Sequence, residues 1–503
     1  MNNTFLNGLK DATNYTFTEN GAITHRSSKS DLLDMFALGG AYRNRSDEDC
    51  ILLFKNAYDE NPVYALKCLF YLRDILHGQG ERRFFRVVIH WLADHETEAM
   101  RRNLEFIPEF GRYDDWYQFV GTKLENEMFG LMRKQLMLDM KCETPSLLAK
   151  WLKSENTSSP ESKRLGNLTR KAFNMDHKTY RKVLSKLRER INVLERLMSA
   201  NRWDEIEFDK IPSKAGLVYR NAFARRDIIK AKYEAFAKSE KTKVNAKALN
   251  PVEIAHQCLS GSYGLMNNQT NRLMLEKYWQ NLPDYYCGRQ ERGIAVVDVS
   301  GSMWGQPMEA AISLGAYIAE RGKGPFANHF ITFSDYPALV KFEGVDVYDK
   351  FNRAKNADWG GSTNIEAVFD LLLKTAIKNK CSADEIPERI YIFSDMEFNE
   401  CVTTKQTMRR PYWGYGFSKE AVMGQMDTLF EATAEKWAVY GYQLPSVIFW
   451  NLNARQNNIP AIGSGFSYVS GFSPVMISTI LSGKDGYDLM MDKLNEDRYE
   501  CIK

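Results

Sequence analysis

Asp298-Val-Ser-Gly-Ser302 follows directly on the apolar run Ile294-Ala-Val-Val. A short, continuous, β-branched run of this kind suits a strand covered on both faces. The strand delivers one carboxylate and two hydroxyls onto a tight turn with Gly301 at its centre. Pro307 then stands where a first helical turn tolerates it. Hard oxygen ligands suit Mg²⁺ or Mn²⁺, and open α/β sheets bind ligands at the carboxyl ends of their strands. Two later segments add to the set. Trp359-Gly-Gly-Ser-Thr363 brings a hydroxyl to the start of a helix expected over 364–378, and Arg389-Ile-Tyr-Ile-Phe-Ser-Asp395 is a second buried strand ending in a carboxylate. Three hydroxyls and two carboxylates, all at strand ends or helix starts, can converge on one cation. The same residues would also serve as caps and turns without a metal.

Asp298, Ser300, Ser302, Thr363 and Asp395, in that order, resemble the metal-ion-dependent adhesion site of the von Willebrand factor A domain. The resemblance implies that Ser300, Ser302 and Thr363 ligate directly and that Asp298 and Asp395 act through water. Asp395 is followed by Met396-Glu397 where that family commonly has glycine, so Glu397 competes for the site or adds to it.

The elements that must position these residues alternate between strand and helix. Strands are expected over 328–334, at an edge over 337–342, and over 446–453 and 466–470, with helices over 418–440 and 473–481. This pattern predicts a C-terminal α/β doubly wound domain over 288–503. An insertion over 401–417, with Arg409-Arg-Pro-Tyr-Trp-Gly-Tyr415, would lie near the metal face as a partner contact or as a packed loop.

Residues 1–287 carry almost no strand signal. Helical patterns are expected over 31–38, 47–58, 62–76, 83–93, 145–152, 179–200, 219–238 and 251–259. They predict an all-α domain of stacked, HEAT-like helical pairs, open or closed into a ring, with a compact irregular bundle as the alternative.

Charge is uneven. Residues 141–250 hold 26 Lys and Arg against 13 Asp and Glu, although the whole chain carries only +3. Lys163, Arg164, Arg170, Lys171, Lys178, Arg181, Lys182, Lys186 and Arg190 are the densest part. On the helix expected from Thr179, positions 178, 182, 186 and 190 form one basic face, which predicts phosphate-backbone binding through counterion release. Trp151 and Tyr180 are candidates for base stacking. The other reading is a solvated helix face.

Arg73-Asp-Ile-Leu-His-Gly-Gln-Gly-Glu-Arg82, Pro108-Glu-Phe-Gly-Arg-Tyr-Asp-Asp-Trp116, Ala149-Lys-Trp-Leu152 and the metal motif together resemble the TROVE (Telomerase, Ro and Vault) group. Phe449-Trp-Asn-Leu-Asn453 and Val469-Ser-Gly-Phe472 are closer to its viral, phage and eukaryotic branch. The resemblance implies a Ro-like ribonucleoprotein that binds small noncoding or misfolded RNA.

Several classes are disfavoured. No apolar stretch reaches the roughly 18 residues of a membrane span, and the opening Met1-Asn-Asn-Thr-Phe5 lacks the features of a secretory signal. The 8 scattered cysteines form no Cys-x-x-Cys, which favours reduced thiols in the cytoplasm. No phosphate loop, nucleophile elbow or His-Glu-x-x-His occurs, and no residue stands out as a base that would activate water. The expectation is a monomeric, non-catalytic RNA-binding scaffold with a Mg²⁺ or Mn²⁺ site for partner or RNA-end contacts. The alternative is a metal-dependent adhesion-type scaffold for an acidic protein partner, without RNA.

Overall fold

The computed structural model describes residues 13–191, 193–260, 268–357, 363–400 and 428–503. The chain forms two compact units. One comprises Met1–Cys68, Leu249–Asn267 and Leu282–Asn495; the other comprises Leu69–Ala248, Asn268–Asn281 and Glu496–Lys503. The units interleave along the sequence and do not follow the expected division at 287/288.

The first unit holds the sheet. Its strands are β3 (Gly293–Val297), β4 (His329–Thr332), β5 (Leu339–Lys341), β6 (Arg389–Ser394), β7 (Ser446–Asn451) and β8 (Phe466–Ser470), in the spatial order β5-β4-β3-β6-β7-β8. All neighbours run parallel except β5, which is antiparallel to β4 at one edge. Ile294–Val297, Ile390–Phe393 and Val447–Trp450 are all buried, as strands covered on both faces must be. The Gln306–Arg321 helix packs on β3, β4 and β6. Gly315 lets it come close, since a Cβ there would stand 2.4 Å from Val297 Cγ2.

The same unit contains an element that the sequence reading missed, the antiparallel hairpin β1 (Tyr15–Phe17) and β2 (Ile23–His25). The chain after β8 also differs from expectation. It forms a 3₁₀ turn at Pro474–Met476, a short helix at Ile477–Ile480 and a further helix at Gly486–Leu494. The insertion over 401–417, the segment 359–362 and the first turns of the helix expected from 418 lie outside the described residues.

In the described residues the second unit is helical. The expected 179–200 helix is divided into His177–Arg190 and Leu194–Ser199, and the 219–238 helix into Ser213–Arg225 and Asp227–Lys238. The second break occurs where Arg226 adopts an extended conformation (φ −84°, ψ 112°) between the two helices. Helices Glu125–Lys141, Pro160–Ala172 and Gln269–Gln280 were not anticipated. Arg73 and Asp115, both buried, are joined at 2.7 and 2.9 Å, and Arg86 bridges Asp114 and Asp115. The motif residues Arg73 and Asp114-Asp115-Trp116 therefore form an internal framework, with Trp116 donating to the Leu104 carbonyl at 2.8 Å. Among the described residues, no helix is long and apolar enough to cross a membrane.

Candidate metal centre

The strand order reverses between β3 and β6, and Asp298 and Asp395 each stand one residue past the ends of these neighbouring strands. Such a switch point leaves a crevice at the carboxyl ends of the strands. Asp298 Oδ1 accepts from the Ser300 amide at 2.9 Å, and Oδ2 accepts from the Ser394 hydroxyl at 2.6 Å. The Ser300 and Ser302 hydroxyls are 3.1 Å apart. Asp395 Oδ1 accepts from the Glu397 amide at 3.2 Å, while its buried Oδ2 has no hydrogen-bond partner among the described residues.

Thr363 is buried and reaches this cluster by another route. Its hydroxyl donates to Asn399 Oδ1 at 2.6 Å and accepts from Asn20 Nδ2 at 3.0 Å. Asn20 also donates to the Glu397 carbonyl at 2.6 Å, which ties Thr363 to the loop that follows Asp395. Glu397 is buried, accepting from Asn458 at 2.8 Å and from the Glu19 amide at 2.7 Å. Both of its carboxylate oxygens are thus already engaged. Met396 holds φ +65°, a left-handed conformation that glycine adopts without strain. The departure from glycine at this position therefore stores on the order of 1 kcal/mol in the turn that aims Asp395.

Electrostatics set the two aspartates apart from ordinary surface carboxylates. Burial, reinforced by the neighbouring Asp395 charge, pushes the Asp298 carboxyl up to about 7. Burial likewise raises Asp395, with the adjacent Ser302 hydroxyl working the other way. Burial also raises Glu397, to about 7. Among the described residues, no lysine, arginine or histidine pairs with Asp298 or Asp395.

These features fit a hard divalent cation. An unsatisfied buried carboxylate oxygen costs about 1–3 kcal/mol, and a cation would remove both that cost and the repulsion between the aspartates. No group of three or more His, Cys, Asp or Glu side chains among the described residues is placed to hold a metal. A cation would therefore depend on Ser300, Ser302, Thr363 and water for its remaining oxygens.

Sequence reasoning missed Ser394, Asn20 and Asn399. Ser394 carried a signal, because a polar residue closing a buried apolar strand immediately before a carboxylate is placed to bond its neighbour. Asn20 carried none.

The basic residues are all in the helical unit, but they are not equivalent. Lys163, Arg164, Lys171, Lys178, Arg181, Lys182 and Lys186 are exposed. Arg164 is paired with Glu161 at 2.7 Å. Arg170 is paired with Glu155 at 2.8 Å and also donates to the Met175 carbonyl. Arg190 leaves the expected basic face altogether. It is half-buried and donates to the carbonyls of Asp139, Cys142 and Glu143, because it lies where its helix packs on the preceding chain. Tyr180 is fully buried and donates to the Lys153 carbonyl at 2.8 Å, so it offers no stacking face. Trp151 is half-exposed, with the Arg112 guanidinium 4.2 Å from its ring centroid.

Comparison with known proteins gives two family matches that succeed each other along the sequence. The domain of unknown function DUF2828 matches residues 18–144 and 134–284, and DUF7788 matches 292–500. The uncharacterized protein L728 of Acanthamoeba polyphaga mimivirus is 30% identical over 517 residues, spanning 94% of this chain and 85% of the relative. The chain belongs to the DUF2828 family. The Ro (RSR) protein of Deinococcus radiodurans aligns with this DUF2828 chain at a TM-score of 0.39 and 12% identity, over 93% of this chain and 99% of the other. That likeness is too slight to carry a conclusion.

Proposed function

We propose that this protein is a non-catalytic binding scaffold whose α/β unit captures an acidic group of a ligand through Mg²⁺ or Mn²⁺, in the manner of a von Willebrand A-like domain. The observation that carries this reading is the pairing of Asp298 and Asp395 at the switch point between β3 and β6, with Asp395 Oδ2 buried and without a hydrogen-bond partner among the described residues. Asp298, Asp395, Ser300, Ser302 and Thr363 would hold the cation. When bound, it would supply an electrophilic position for an external carboxylate or phosphate. The buried carboxylates supply charge, and the hydroxyls supply oxygen without neutralising the cation further. Thermal melting with and without Mn²⁺ tests the reading. Wild type should melt higher with Mn²⁺, and Asp298→Ala should lose that increment. Equal increments in both proteins would rule the site out.

A second reading, RNA binding by the helical unit in a Ro-like role, is favoured by a different observation. Lys178, Lys182 and Lys186 lie on one exposed helical face with no acidic partner at ion-pair distance among the described residues. Such a row suits phosphates, which position a nucleic acid without reading its sequence. Both functions are compatible with one chain. Sequencing of RNA that copurifies with the protein, compared between wild type and a variant lacking these lysines, tests the second.

A further inference from the structure

The tip of the β1–β2 hairpin lies against the metal centre, although more than 340 residues separate Asn20 from Thr363 in sequence. Contacts beyond the two Asn20 side-chain bonds fix it there. Thr18 donates its hydroxyl to the Phe398 carbonyl at 2.7 Å, and the Glu19 amide donates to Glu397 Oε2 at 2.7 Å. The Glu400 amide donates to the Asn20 carbonyl at 3.1 Å. Glu19 also pairs with Arg455 at 2.6 Å. At the turn, Gly21 adopts φ +89° and its backbone bridges to Asn399.

The hydrogen bonds of Thr363 show what this docking accomplishes. A threonine hydroxyl has one proton and two lone pairs. The proton goes to Asn399 Oδ1, and one lone pair accepts from Asn20 Nδ2. Among the described residues nothing takes the other lone pair, and the two bonds fix the direction of the hydroxyl. A hydroxyl that ligates a cation needs this condition, with its proton turned away and a lone pair in a fixed direction. Groups that orient a ligand in this way typically change metal affinity about 10- to 100-fold when removed.

We propose that Asn20 is a positioning residue for the metal centre, fixing the Thr363 hydroxyl as a ligand and so coupling cation binding to docking of the N-terminal hairpin. The inference rests on the metal-binding reading above. Coupling is reciprocal, so a bound cation must also stabilise the docked hairpin.

The test is a double-mutant cycle on Mn²⁺ affinity, measured by calorimetry on the full chain, with hydrogen exchange as an independent readout. Asn20→Ala should weaken Mn²⁺ binding roughly 10- to 100-fold and should cause no further loss in a Thr363→Ala background. Mn²⁺ should slow exchange of the Glu19 and Glu400 amides in wild type and leave it unchanged in Thr363→Ala. If wild type binds Mn²⁺ but Asn20→Ala binds as tightly, or the two losses simply add, the positioning role is overturned while the metal site stands. If wild type binds no Mn²⁺, or Asp298→Ala binds as wild type does, the metal reading fails and the inference fails with it.

Discussion

The Ser394 hydroxyl donates to the Asp298 carboxylate at 2.6 Å, across the ends of two neighbouring parallel strands. Ser394 is also the residue immediately before Asp395, and it accepts from the Met396 amide at 3.0 Å. One strand end therefore orients both carboxylates: Asp298 by a hydrogen bond, and Asp395 by the turn that Ser394 closes. This contact makes the β3–β6 register part of the candidate site, because a slip of one residue would point Ser394 to the opposite side of the sheet.

Ser394→Ala should therefore weaken Mn²⁺ binding by about 10- to 100-fold without abolishing it, as expected for a group that orients a ligand. Calorimetry reads the change directly. Unaltered affinity would mean that the Ser394 contact is purely structural.

Gly315→Ala should destabilise the α/β unit. The added methyl would meet Val297 Cγ2 at 2.4 Å on the strand that carries Asp298, and neither the helix nor the buried strand can yield cheaply. Overpacking of this kind costs about 1–3 kcal/mol. Chemical denaturation should show a lower midpoint with an unchanged slope. A midpoint equal to that of wild type would show that the helix can shift away from β3.

Asp34 supplies a pH dependence away from the candidate site. It is buried in the Asp31–Leu38 helix and accepts from the Ser28 amide at 2.7 Å, and burial pushes its carboxyl up to about 6 from 3.8. Because the folded value is the raised one, the fold favours the neutral form. The associated stability is fully present below about pH 4 and is lost as pH rises through about 6. Asp34→Asn keeps an acceptor for Ser28 and removes the charge. The variant should be more stable than wild type at pH 8 by an amount on the order of 2–3 kcal/mol and so melt higher, and the two should converge at pH 4. Parallel melting curves across that range would contradict this.

The strands that carry Asp298 and Asp395 were legible because a continuous β-branched run ending in a carboxylate is a local signal, complete within seven residues. The hairpin was not legible. Its strands are only three residues each, and what holds it are contacts with Glu397, Phe398 and Glu400, a relation that no local pattern encodes. The basic helix was legible as a charged face, but the fate of each side chain was not. Spacing alone puts Arg190 in line with Lys178, Lys182 and Lys186, whereas packing turns it onto three backbone carbonyls. Tyr180 was misread for the same reason: an aromatic on an amphipathic helix is a surface group or a core group according to which face packs.

That difference within the basic face gives the sharpest test of RNA binding. If Lys178, Lys182 and Lys186 meet phosphates, each contact contributes about −0.7 to the slope of log affinity against log salt for a single strand. Replacing all three with glutamine should weaken binding to unrelated RNA sequences alike and flatten the slope by about 2. Arg190→Ala should behave differently. It removes donors from the carbonyls of Asp139, Cys142 and Glu143, so it should lower the melting temperature of the helical unit and leave the salt slope unchanged. Filter binding over a salt series, with melting curves on the same preparations, separates the two effects. Wild-type affinity and slope in the triple variant would remove this face from any RNA interface, whereas no RNA affinity in wild type would leave the metal-dependent scaffold as the sole reading for the chain.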